Sequence, residues 1–510
     1  MKRLWMGIFV VAAAANTVGL LHADEVDELA GTIDRHIAAR WSEENVVPAP
    51  AADDAEFLRR AYLHLTGKIP RVSEVRAFLD DPAPDKRRAL VDRLLESPGY
   101  IVNFTSVFRS LMIPEAEAEP QFLINVPAFE AWLRVQFADN VPYDEMVHEL
   151  LTTSGSGNDN FAGRNLGPVE PNPAIFYRAK QNKVENVAAN VSRLFLGVRL
   201  ECAQCHDHPF AKWRRQDFWQ FAAFFETPAG KINIPDTDQV VEATYLSGEK
   251  AVPPSGTSVR NELATWLTSS ENPYFARATV NRLWFHFFGT GLVDPVDDFD
   301  ADNPASHPEL LDELATEFAE HNFDLKYLMR GIVASRAYQL TSRQTDGSQS
   351  DPRRFAKKAI QGLTTGQLFD SLAEATGYYE SNAERNPLNM NENSERAKFR
   401  QLFGNEAGEP ANAETTILQA LALMNGEFVE TATDLEQSTT LAAVVESPFL
   451  DTAERVRTLY LAALSRYPSE AELASMVQYV DSGGPSDEPQ TALADLFWAL
   501  LNSSEFILNH

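Results

Sequence analysis

Apolar residues recur every three to four positions over most of this chain, and that spacing predicts amphipathic helices. Over residues 53–64 the stripe is Phe57, Ala61 and then Leu65, closed by Thr66-Gly67. Residues 72–79 read as a short helix introduced by Pro70 and ended by Pro82. Residues 85–95 carry Leu90, Val91, Leu94 and Leu95 at helical spacing, before Ser97-Pro98-Gly99. The pattern continues over 122–138 and 143–151. It is clearest over 184–196, where Val187, Val191, Leu194 and Phe195 share a face and Gly197 supplies the stop. Further helices are predicted over 259–268, 274–288, 307–320 and 325–336, with Ser306 as the expected N-cap of the third. Residues 418–510 return to the same pattern.

The interruptions divide the chain. Residues 153–172 form a Gly/Asn/Pro-rich loop, 342–351 a polar loop, and 377–412 an Asn/Glu-rich stretch. Residues 231–254 are richer in β-branched residues, with Asp236 and Gly248 as turn signals, and predict a small β-hairpin insertion near 230–254. Pro253-Pro254-Ser255-Gly256 reads as a linker. The expected fold class is mainly α: a multi-helical two-domain body, with one helical domain over 24–228, an insertion and linker over 229–258, and a second helical domain over 259–510.

The first residues carry a separate signal. Lys2 and Arg3 precede an apolar run from Leu4 to Ala15, and Ala23 stands before the acidic start Asp24-Glu25. That is the layout of a secretory signal over 1–23. The expected location is therefore outside the cytoplasmic membrane, periplasmic or extracellular at the cell surface, with no integral membrane span after cleavage. A hydrophobic content of 44% and 31 phenylalanines allow a sizeable core across 510 residues. The formal charge is -29, and removal of residues 1–23 makes it about -31, because Lys2 and Arg3 leave with no acid. So acidic a chain excludes nucleic acid as a partner, since phosphate binding needs a basic surface.

Both cysteines lie in one motif, Cys202-Ala203-Gln204-Cys205-His206. C-x-x-C-H is the attachment signature of c-type haem: two thiols add to the two porphyrin vinyl groups, and the adjacent His ligates the iron. On this reading Cys202 and Cys205 hold haem c covalently, His206 is the proximal ligand, and the chain transfers electrons to a redox partner protein. Candidates for the sixth iron position are Met112, Met146, Met424, His286 and His307. Phe210, Trp213, Phe218, Trp219, Phe221, Phe224 and Phe225 would either wall a haem or pack ordinary helices. Two alternatives stand beside haem. Cys202, Cys205, His206 and His208 offer ligands for zinc or another metal, with Asp207 orienting a His. The cysteines could also form a plain disulfide or dithiol with no cofactor, in a binding or structural protein of a cell-surface or polysaccharide-processing system.

Asn281, Arg282 and His286 form a second polar cluster, with Arg282 and His286 on one helix face. They would line a pocket, meet a haem propionate through Arg282, or make a buried helix junction. Asp294, Asp297, Asp298, Asp300 and Asp302 crowd one loop without the EF-hand spacing. G-x-S-x-G, H-E-x-x-H and a phosphate-binding glycine loop are all missing, so no sequence motif assigns a catalysed reaction.

Longer runs carry a resemblance. Arg60-Ala61-Tyr62-Leu63-His64-Leu65-Thr66-Gly67-Lys68-Ile69-Pro70, Leu90–Pro98 and Ser192–Trp213 resemble the planctomycete cytochrome (PSCyt-type) domain of unknown function. Asn272-Pro273, Val280–Gly289, Ser306–Leu311 and Trp498–Phe506 resemble its companion, the PSD-type domain of unknown function. The resemblance covers nearly all of the chain after residue 23. It implies a two-domain arrangement and a cytochrome label that itself rests on C-x-x-C-H. The run Ser97–Phe104 lacks the Trp-rich continuation of the family pattern.

Overall fold

The computed structural model describes residues 4–115, 126–153, 169–209, 211–226, 230–254, 256–379, 394–403, 427–435 and 437–510. Among them are 22 α-helices and two small two-stranded sheets, so the fold is mainly α and its cores are built by helix-on-helix packing. The helices Val72–Leu79 and Val184–Leu196 have the bounds their apolar spacing predicts. Asp53 caps the helix Asp54–Thr66 by accepting from the Glu56 amide, and Gly67 ends it with φ +73. Most of the loops expected over 153–172 and 377–412 fall outside the described residues.

Two compact units emerge, each built from three stretches of chain. The first comprises Met1–Ala51, Asp139–Ser156 and Lys180–Lys358; the second comprises Ala52–Ala138, Gly157–Ala179 and Ala359–His510.

In the first unit the helix Leu4–Glu44 buries Val26, Leu29, Ile33, Ile37 and Trp41 at helical spacing. The pattern reading assigned 24–44 no element. This stripe packs on the helix Leu325–Ala334, and Gly331 permits the close approach: a Cβ there would lie 2.3 Å from Leu29 Cδ2. The helix Val184–Leu196 packs on Arg215–Ala222 and on Phe275–Phe288. The predicted hairpin is present, with Lys231–Asn233 antiparallel to Val240–Glu242. Both turn residues named from sequence, Asp236 (φ +60) and Gly248 (φ +92), have left-handed backbones.

The second unit is organised around the helix Asp54–Thr66, whose residues Phe57 to Leu65 are all buried. A helix buried on every side must satisfy its own cations. Arg59 donates to the carbonyls of Ala463 (3.0 Å) and Phe506 (2.6 Å), and burial lowers its pKa only to about 10, so it stays charged. Arg60 pairs with Glu56 at 2.6 Å. Gln361–Gly362 pairs antiparallel with Leu508–Asn509. His64 Nε2 lies 3.0 Å from both the Gln361 and the Asn509 side chains, tying the helix to that sheet.

Three local expectations are corrected. His307, rather than Ser306, is the N-cap residue of Pro308–Glu320, and it makes no side-chain cap bond. The Ser306 hydroxyl lies 3.1 Å from His307 Nδ1 instead. Residues 342–351 are not simply a solvated loop, because Gln349 is buried and donates to the Val47 carbonyl at 2.7 Å. Ser97-Pro98-Gly99 is a start as well as a stop: Ser97 caps the helix Pro98–Met112, with Pro98 at its first position.

Candidate functional site

The Val184–Leu196 helix stops at Gly197, whose φ of +68 turns the chain out of the helix. A short 3-10 turn, Glu201–Ala203, then opens the cysteine motif. Ala203 is fully buried, whereas Cys202 and Cys205 on either side of it are exposed free thiols. The turn is anchored by the methyl between the thiols, so both sulfurs face outward. Backbone bonds brace it: the Ala203 amide donates to Leu200 (2.9 Å) and the Gln204 amide to Glu201 (3.2 Å). Trp219 adds a side-chain brace, with its indole N–H donating to the Gln204 carbonyl at 3.0 Å.

The two motif histidines differ in chemistry. His206 is exposed, and its Nδ1 lies 2.8 Å from the Asp207 carbonyl. A carbonyl only accepts, so Nδ1 carries the proton and Nε2 keeps its lone pair, the arrangement an imidazole ligand needs. His208 is the opposite case. Its Nδ1 accepts from the Ala211 amide at 2.8 Å, so the neutral ring carries its proton on Nε2 and offers no ligand lone pair in this conformation. The His208 amide donates to Trp213 (2.8 Å), and Asp207 Oδ1 accepts from the Arg215 amide (2.9 Å). These bonds fold the motif back on the start of the helix Arg215–Ala222. Asp207 therefore serves His206 with its backbone carbonyl, while its carboxylate binds elsewhere.

Trp213, Phe218, Trp219, Phe221, Phe224 and Phe225 are buried; Phe218 packs on Trp219, Phe221 on Phe224 and Phe225, and Phe224 on Tyr245. The Phe218–Trp219 centroids are 5.3 Å apart and the Phe224–Tyr245 centroids 5.0 Å. They form a core beneath the turn; Phe210 lies outside the described residues. Met112 and Met146 are buried in helices, His286 is half-buried, and Met424 lies outside the described residues. His307 is 5% exposed, its Nε2 has no hydrogen-bond partner, and burial lowers its pKa to about 4. Among the described residues no group of three or more His, Cys, Asp or Glu side chains converges to hold a metal ion. Among them, too, no helix is long and apolar enough to cross a membrane.

Residues 32–229 match PSCyt2, a protein of unknown function (DUF1549), and residues 259–480 match PSD1, a protein of unknown function (DUF1553). The chain therefore carries a PSCyt2 region followed by a PSD1 region, in the order its sequence runs suggest. No curated protein and no solved structure matches it. The PSCyt2 part holds the cysteine motif, and the first compact unit takes in residues of both families.

The PSD1 part supplies Asn281, Arg282 and His286, and the structure gives the first two defined work. Asn281 is fully buried. Its amide donates to the carbonyls of Val293 (2.8 Å) and Val296 (3.1 Å), and its oxygen accepts from the Val293 amide (2.9 Å). Arg282 pairs with Asp297, whose other oxygen is 3.1 Å from Arg193. Arg282 is thus committed to a helix junction. His286 sits half-buried, its ring 5.0 Å from that of Phe287. Asp297 was legible only as one of five acids in a loop, because its partners lie 15 and 104 residues away. The donor role of Trp219 was also missed; only its aromatic character is visible in sequence.

Proposed function

We propose that this chain is an exported c-type haem protein that passes electrons to a partner protein. Cys202 and Cys205 would hold the haem by adding S–H across its two vinyl groups, and His206 Nε2 would ligate the iron. When bound, haem supplies a one-electron couple. The observation that carries the reading is the outward presentation of three groups at once: two unpaired thiols and a His whose Nδ1–H···O=C bond leaves Nε2 open. This donor set fits covalent haem. His208 fits iron ligation less well, since its Nδ1 lone pair already accepts a bond. The rest of the turn fixes the ligand frame: buried Ala203 and the Trp219 indole hold the backbone between the cysteines. Exposure of the motif keeps a bound group within reach of a docking partner, and a net charge of -29 favours a basic one, so transfer should slow as salt rises.

The test is expression in a periplasm with haem-attachment machinery, followed by a haem-stained denaturing gel and a pyridine haemochrome spectrum. Covalent haem that disappears in Cys202→Ala/Cys205→Ala supports the proposal. A haem-free product beside a working control cytochrome overturns it, and metal analysis with thiol counting then separates a metal site from a disulfide.

A further inference from the structure

We propose that the Arg282–Asp297–Arg193 bridge is a positioning device through which the PSD1 part of the chain holds the cysteine turn of the PSCyt2 part in place. Calling that turn a haem site rests on the function proposed above; the positioning does not.

The Cys202–His206 turn hangs from the C-terminus of the helix Val184–Leu196, five residues beyond Gly197. That helix end is bonded by the PSD1 part. Arg282 reaches it from the helix Phe275–Phe288, its guanidinium 3.4 Å from both the Arg193 and the Leu194 carbonyls. These carbonyls are the acceptors a helix leaves unpaired, and a cation there complements the helix dipole. The Asp297 carboxylate, one-tenth exposed, joins Arg282 to Arg193, a residue of the same helix turn. Asn281 fixes the backbone of the loop that presents Asp297, through its bonds to Val293 and Val296. The loop then returns to the helix end, where the Phe299 amide donates to the Gly197 carbonyl at 2.9 Å. Any side chain at residue 197 would collide with Phe299, since a Cβ would lie 2.5 Å from its ring.

The lever is short. Between Gly197 and Cys202, Val198 and Leu200 are buried, so a displaced helix end would drag packed residues and then the turn. Removing the carboxylate charge leaves two arginines mostly enclosed and uncompensated, a strong perturbation confined to this junction. Asp297 and Arg282 are positioning residues; neither touches the thiols.

Hydrogen exchange by mass spectrometry on the full-length, haem-free chain tests the inference. In Asp297→Asn, amides of residues 198–206 should exchange about tenfold or more faster, the effect of losing a charge-assisted bond. Amides of the helix Thr452–Leu464 in the other unit should keep their wild-type rates. Arg193→Gln, which cuts one arm only, should give a smaller change in the same segment, and Asp297→Glu should restore part of the protection. Unchanged exchange at 198–206, or acceleration spread evenly along the chain, overturns the proposal. If Asp297→Asn does not fold, Arg193→Gln carries the same comparison. A chain that never acquires haem leaves the exchange result standing. If haem is attached, Asp297→Asn should also shift its midpoint potential.

Discussion

Acidification from pH 7.5 to 4.5 should destabilise the first unit through His307. The ring is 5% exposed, its Nε2 has no partner, and it packs 5.5 Å from Phe355. Burial is the main cause that lowers its pKa from 6.5 to about 4. Arg40 and His36 add to the shift, while Glu44 and Glu309 oppose it. The unfolded chain therefore takes up a proton near pH 6.5 that the folded chain refuses until near 4. Stability from this residue is complete above 6.5 and falls as pH drops through that window. Each unit is worth about 1.4 kcal/mol, so by pH 4.5 the loss is roughly 2–3 kcal/mol. Urea unfolding of wild type and His307→Gln at steps between the two pH values isolates the residue, because other titrating groups are common to both. The wild type should lose about 2–3 kcal/mol more than the variant across the range. Parallel loss in the two proteins would refute the neutral buried imidazole, as would an NMR titration that placed His307 near 6.5.

Three further outcomes follow from the same structure. Trp219→Phe keeps an aromatic side chain but removes the donor to Gln204 and the packing of the pyrrole ring, so a loss of at least about 1–2 kcal/mol is expected by chemical denaturation. Unchanged stability would mean that water replaces the indole. Asn281→Ala deletes three hydrogen bonds in a fully buried position and should cost about 2–4 kcal/mol, read as a lowered unfolding midpoint. In the second unit, Arg466 pairs with Glu472 and Glu505, and its hydrogen bonds to Glu472 hold that carboxyl near a pKa of about 2. The stability from this group is present above the unfolded value of 4.5 and is lost as pH falls toward 2, so Glu472→Gln should flatten that part of the acid-unfolding curve; an unaltered curve would sink the assignment.

Much of this protein is determined locally and is therefore readable along the chain. The helix Val184–Leu196 follows from its apolar spacing and from a glycine that takes the left-handed stop at 197 without strain. Asp236 and Gly248 announce the hairpin turns for the same reason. The C-x-x-C-H motif is equally local, because its two thiols and imidazole lie within five consecutive residues, Cys202 to His206. Tertiary structure alone decided the rest. Sequence put His206 first as a ligand and His208 as its alternative, and the proton positions set by the Asp207 carbonyl and the Ala211 amide come only from the fold. Asp297 looked like a solvated acid until the fold brought Arg193 and Arg282 to it. Both compact units are assembled from three distant stretches, and hydrophobic burial specifies a total of apolar contact without naming which stretches meet. Spacing along a chain records the local geometry of the backbone; which side chains finally share a proton or a charge depends on contacts between segments a hundred residues apart.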